Sequence, residues 1–135
     1  MYSQRGAAQY RSVRNHGLVA EASPARLVQI MFEQILAHLA TAQGCMGRIE
    51  NNMPVNEVKA KGTAMGKAIR LIDQLNNTLD MERGQKIAEN LRALYVYMLA
   101  RLTMANVTND SHIVAEVSAL VQKVKIGWDQ LVESR

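Results

Sequence analysis

The sequence contains few of the residues that cross-link a chain, kink it or make it rigid. Among its 135 residues are one cysteine, two prolines and few aromatic side chains. A single cysteine, Cys45, excludes an intramolecular disulfide and favours a reducing compartment. Few aromatic residues, with abundant Ala, Leu, Val and Met, favour helices over sheets. No apolar run approaches the roughly 18–20 residues of a membrane span, and we predict no stable membrane insertion.

Groups for catalysis or metal binding are also scarce. No Glu precedes a His by three residues, as a di-iron helical bundle requires, and His16, His38 and His112 lack ligand spacing. Cys45 is not accompanied by the His and Asn pattern that would activate it as a nucleophile. No Gly-rich phosphate-binding loop is present either. We therefore predict no catalytic residue, metal or cofactor.

The overall composition predicts one globular domain. Apolar residues make up 48% of the chain and charged residues 21%, which is typical of a folded globule. The net charge is +4, and Arg5, Arg11 and Arg14 precede the first acidic residue. This basic start leaves open a second hypothesis, a helical adaptor whose N-terminal arm contacts nucleic acid or an acidic protein.

The apolar spacing predicts four helices after an N-terminal arm. We interpret residues 1–22 as a short, partly helical arm and residues 23–135 as the bundle. Ser23-Pro24 is a typical helix start, because Ser caps a free N–H and Pro has none to leave unsatisfied. The predicted helices span about 24–44, 54–79, 84–107 and 110–133. Gly44 and Gly47 are expected to end the first helix, and Gly62 and Gly66 suggest close approach to a neighbour in the second.

The third predicted helix has the widest apolar surface. Ile87, Leu91, Leu94, Met98, Leu102 and Ala105 recur in steps of four, three, four, four and three. A second apolar line beside them, which includes Tyr95, widens the stripe beyond the arc that one neighbour needs. The matched helix lengths predict an all-α, antiparallel up-and-down four-helix bundle. The excess apolar width is either additional core or a surface for a partner helix.

Several motifs, in order and spacing, resemble the flagellar secretion chaperone family FliS. The matching segments are Tyr10 with Val13, Ala22-Ser23-Pro24, Leu27 to Phe32, Lys67 to Asp73, Ala88 to Leu91, Leu94 to Met98, Ala105-Asn106, Asn109-Asp110, Glu116-Val117 and Trp128. The sequence departs from the family at Val96, where an acid is usual, and has Phe32 where tyrosine is frequent. The resemblance covers nearly the whole chain.

This resemblance implies a function and a set of contacts. It implies a cytoplasmic, non-enzymatic chaperone that binds the C-terminal segment of flagellin, blocks premature polymerisation and presents the client to an export-gate component. The family's N-terminal arm covers part of the same surface when no client is bound. The partner-binding candidates are Tyr10, Val13, Leu91, Tyr95 and Met98. The resemblance supports Tyr10 best; the other four rest on the geometry of their helical faces, which leaves a core role open for them. Nucleic acid is not an expected partner, and a homodimer through the uncovered groove stays possible.

Overall fold

The computed structural model describes residues 23–50 and 55–134, and within them four α-helices pack into a bundle. The helices are α1 (Pro24–Glu50), α2 (Val55–Asn77), α3 (Met81–Thr108) and α4 (Ser111–Glu133). Each packs against its sequence neighbour, and α4 returns to α1. The all-α four-helix bundle is confirmed. The predicted arm, with Tyr10 and Val13, lies outside the described residues.

Three helix starts are fixed by side-chain caps. Ser23 Oγ accepts a hydrogen bond from the Arg26 amide (3.1 Å), at the predicted Ser-Pro boundary. Asp80 caps α3 in the same way, through the Arg83 amide (3.1 Å). Asp110 accepts from the amides of two residues in the first turn of α4. These caps satisfy amides that have no partner inside the helix, so they set where each helix begins.

Helix α1 is longer than predicted. It continues through Gly44 and Gly47 to Glu50, because Cys45 and Met46 between the two glycines are buried. Packing of these side chains outweighs the cost of roughly 1 kcal/mol for each helical glycine. The expected close approach at Gly62 is also wrong, since no atom of a neighbour lies within 4 Å of a Cβ built there.

Pairs of contacts at the helix ends show that neighbouring helices run antiparallel. Trp128 near the end of α4 bonds to Ala25 at the start of α1, and Lys61 near the start of α2 bonds to Asn106 near the end of α3. The core between the four helices is one continuous apolar cluster. Its largest buried side chains are Phe32, Met31, Ile35, Leu39, Met46, Met65, Ile72, Leu75, Tyr95, Met98 and Leu102.

Candidate binding groove

An apolar groove of about 290 Å³ opens between α3 and α4, the neighbouring helices with the least extensive contact. Its floor and walls come from three helices. The lining residues are Phe32 of α1; Ile87, Leu91 and Tyr95 of α3; and Lys123, Val124, Gly127, Trp128 and Leu131 of α4. The described lining is almost wholly apolar, so the groove suits an apolar side-chain ridge better than a polar ligand.

The α3 wall begins just after a break in the helix. Gln85 has φ 45° and ψ −122°, which is not helical and is a costly conformation for a residue with a side chain. The break comes two residues before Ile87, which is 61% exposed although its spacing predicted a buried position. Leu91 one turn later is half-buried, and Tyr95 a further turn on is buried at the floor. Exposure therefore decreases along this wall from rim to floor.

The α4 wall is positioned by a bond to the start of α1. The Trp128 indole N–H donates to the carbonyl oxygen of Ala25 (2.9 Å), which fixes the ring beside the groove. Gly127 lies next to it in a helical turn, and a Cβ built there meets no atom within 4 Å. The absence of a side chain at Gly127 leaves free space in this wall. Leu131 forms the outer rim and is 46% exposed.

A polar network on α4 supports the wall from the α1 side. Lys125 lies 2.6 Å from Asp129, and the Gln29 amide of α1 donates to the same carboxylate (2.8 Å). Burial alone raises the pKa of Asp129, but the hydrogen bonds from Lys125 and Gln29 outweigh it and leave the pKa below its ordinary value. The carboxylate therefore stays ionised at neutral pH and ties α4 to α1.

The other half of the α3–α4 interface is bridged by polar groups. Glu116 of α4 accepts a hydrogen bond from the Tyr97 hydroxyl (3.1 Å) and pairs with the Arg101 guanidinium (3.0 Å). The hydrogen bond to Glu116 raises the pKa of Arg101. These contacts join the two helices at the surface, so the apolar groove is confined to the half that contains Ile87 and Trp128.

The structure places the predicted partner-binding residues on α3 in two different environments, the groove and the core. Leu91 and Tyr95 lie together in the groove. Met98, one turn beyond Tyr95, is a core residue: it is 1% exposed and is not part of the groove lining. Tyr10 and Val13 cannot be placed, because they lie outside the described residues. Sequence reasoning missed the contributions of Ile87, Gly127 and Leu131 to the groove, and the spacing of apolar residues alone did not reveal them.

Among the described residues, no cluster of three or more His, Cys, Asp or Glu side chains could hold a metal ion. Within the same residues, no helix combines the length and apolar character needed to cross a membrane. Cys45 is buried, with the Arg48 guanidinium 3.6 Å from its sulfur.

The fold and the groove define an all-α helical-bundle protein with an apolar groove on its surface. Residues 6–135 match the family model described as flagellar protein FliS. The chain therefore belongs to the FliS family, a family of chaperones rather than enzymes.

Curated relatives from distant bacteria agree with this assignment. The flagellar secretion chaperone FliSB of Pseudomonas aeruginosa is 43% identical over 129 residues, which cover 96% of this chain and 97% of the relative. FliS of Salmonella typhimurium, also named a flagellar secretion chaperone, is 36% identical over 97% of this chain and 93% of its own length. FliS of Bacillus subtilis is 30% identical over 86% of this chain and 80% of its own length.

Proposed function

We propose that this protein is a cytoplasmic chaperone that binds the C-terminal segment of flagellin, prevents its premature polymerisation and presents it to the flagellar type III export apparatus. The observation that carries the proposal is the apolar groove between α3 and α4, in a chain of a secretion-chaperone family. An apolar client segment that becomes buried only in a filament needs cover before export. Covering it requires apolar surface and no catalytic group.

The groove dimensions suit a short amphipathic helix. Ile87, Leu91 and Tyr95 extend over about two helical turns, or roughly 12 Å at 1.5 Å per residue. A client helix with apolar residues at i, i+4 and i+7 would place them along this wall. Ordering a client segment on binding costs about 2–5 kcal/mol, so a groove of this size supplies one anchor among several rather than the whole affinity.

The N-terminal arm is the second element of the proposed site. Trp128 bonds to Ala25, so the chain enters α1 beside the groove. Tyr10 lies thirteen positions before Ser23, and an extended chain of that length reaches about 40 Å. We assign Tyr10 and Val13 to the client-binding surface together with Leu91 and Tyr95. In the absence of client, the arm covers part of that surface.

A pair of glycine substitutions tests the groove. Gly127→Leu places a side chain in the groove, whereas Gly62→Leu places the same side chain on α2, where a Cβ also meets no neighbour within 4 Å. Both changes replace a helical glycine, so both should preserve or slightly raise helix stability. We expect Gly127→Leu to weaken binding of a flagellin C-terminal peptide at least tenfold in calorimetric titration. Gly62→Leu should bind as the unaltered protein does.

Equal binding by both variants would exclude the groove as the client site. Binding should also persist in moderate salt, because an apolar interface is screened little. A protein that instead used its basic arm on nucleic acid would lose DNA binding steeply as salt increases. The same titrations, repeated with a DNA duplex, therefore discriminate the two functions.

Tyr10→Ala tests the arm. The substitution should weaken binding of the flagellin peptide while the helical circular-dichroism signal and the melting temperature stay nearly unchanged. Parallel loss of binding and stability would instead assign Tyr10 a structural role in the bundle.

A further inference from the structure

The apolar groove has one charged side chain among its described lining residues, that of Lys123 on α4. Lys123 is exposed and precedes Gly127 by one helical turn, so the two residues lie on the same face of α4. A lysine stem packs along apolar surface while its ammonium group stays in water. The α4 wall of the groove therefore combines apolar surface with a positive charge at the rim.

The positive charge of Lys123 is not balanced within the described part of the chain, where no carboxylate lies within 4 Å of its ammonium. Two of the acidic residues of α4 are engaged elsewhere: Asp129 pairs with Lys125 at 2.6 Å, and Glu116 is bridged to α3 at 3.0 Å. The third, Glu133, is ten residues from Lys123, or roughly 15 Å along the helix axis. The rim of the groove therefore attracts an acidic group from outside the bundle.

Gly127 leaves space for a side chain that comes from a partner. A Cβ built at Gly127 meets no atom within 4 Å. Its neighbours in the groove wall, Val124 and Trp128, are apolar and half-buried. A large apolar side chain placed over Gly127 can contact both of them without displacing an atom of the bundle. The wall thus offers an apolar position and a cationic position that are about 6 Å apart along α4.

We propose that Lys123 and Gly127 form a two-point site that selects a partner helix with a large apolar residue and a carboxylate one helical turn apart. The apolar residue occupies the space over Gly127, and the carboxylate pairs with the Lys123 ammonium. The proposal rests on the proposed client-binding role of the groove and specifies which client sequence is recognised. Apolar contact supplies most of the affinity and the charge fixes the register, because an exposed ion pair contributes little by itself.

Three synthetic amphipathic peptides of identical composition test the two-point site. Each has a central phenylalanine within an apolar ridge and a single glutamate. Two peptides have the glutamate four residues before or four residues after the phenylalanine, on the same face, and the third has it two residues after, on the opposite face. We expect one of the same-face peptides to bind the full-length protein at least fivefold more tightly than the opposite-face peptide, in calorimetric titration at low salt. Identical composition cancels the general attraction of a basic protein for an acidic peptide.

Three variants test whether the charge of Lys123 causes this preference. Lys123→Met keeps an unbranched apolar chain without the ammonium, so the preference should fall below twofold. Lys59→Met makes the same change at an exposed position of α2 and should leave the preference unchanged. Lys123→Glu places a like charge at the rim, so the order of the peptides should invert. Circular dichroism verifies that each variant is folded.

A preference that persists in Lys123→Met, equal binding of the three peptides, or binding of none of them would overturn the proposal. The flagellin C-terminal peptide is then added to the complex with the preferred synthetic peptide. Displacement supports one shared site. If the preference depends on Lys123 but flagellin displaces nothing, the two-point site stands and flagellin is not its client. Failure of this inference and failure of the proposed function are therefore distinguishable.

Discussion

The α1–α2 and α3–α4 interfaces both join consecutive antiparallel helices, yet the first is the most extensive helix–helix contact of the bundle and the second the least extensive. Helices α1 and α2 bury small residues, including Ala42, Ala64 and Ala68, which allow the helix axes to approach. The α3–α4 interface contains the large rings of Tyr95 and Trp128 instead. The two interfaces therefore differ in the size of the side chains named here, and the groove lies at the one that contains the rings.

The largest expected effect comes from removing the ring at the groove floor. Tyr95 is 1% exposed, and Tyr95→Ala should lower the free energy of unfolding by about 3–5 kcal/mol because it leaves a cavity in the core. Tyr97, two residues later, is 44% exposed, and Tyr97→Ala should cost well under half as much. Urea unfolding measures both. Equal losses would mean that Tyr95 is not part of the packed core.

The rim of the groove should affect binding without affecting stability. Ile87→Asp introduces a charge at a position that is 61% exposed, so the free energy of unfolding should change by less than about 0.5 kcal/mol. Affinity for the flagellin peptide should decrease about tenfold, or about 1.4 kcal/mol of binding free energy. Val58→Asp on α2 provides a control of similar exposure. A matching loss of affinity in that control would indicate a nonspecific effect of charge.

The bridged half of the α3–α4 interface should contribute little to stability. Glu116→Ala removes the partner of Tyr97 and Arg101, and it should lower the melting temperature only slightly because the pair is near the surface. The difference from the unaltered protein should shrink in 1 M salt, where exposed charges are screened within about 3 Å. A difference that persists at high salt would assign the bridge to packing rather than charge.

The smallest expected effect lies at the α1–α2 interface and depends on pH. Burial, reinforced by the charge of Lys67 on α2, lowers the pKa of His38 below its ordinary value of 6.5. The unfolded chain therefore binds a proton at a higher pH than the folded protein does. Stability from the neutral His38 is present above about pH 6.5 and is lost as pH decreases through the lowered pKa.

His38→Gln removes this contribution. Its free energy of unfolding, measured in urea at several pH values from 7.5 to 5, should vary less with pH than that of the unaltered protein. Parallel profiles for the two proteins would show that other groups cause the acid sensitivity.

The sequence predicted the fold because local signals and apolar spacing agreed. Ser23-Pro24 and Asp110 are strong caps, and both begin helices where expected. The end of α1 was predicted too early, because the glycine signals at Gly44 and Gly47 are local and the burial of Met46 is a tertiary effect.

The groove was predictable only in part. Leu91 and Tyr95 were selected from the width of the apolar stripe, and both line the groove. The same pattern could not separate them from Met98, which is core, because one helical face contains all three residues. Ile87 becomes accessible where the helix breaks at Gln85, and no periodicity encodes that break. Gly127 contributes by having no side chain, which hydrophobicity patterns do not register.

The position of Trp128 gives the molecule a built-in optical reporter. It is the only tryptophan of the chain, and its ring lines the groove with its N–H bonded to Ala25. Indole emission shifts to shorter wavelength when water is displaced from the ring. Intrinsic fluorescence will therefore follow the occupancy of the groove without a label, whichever segment enters it.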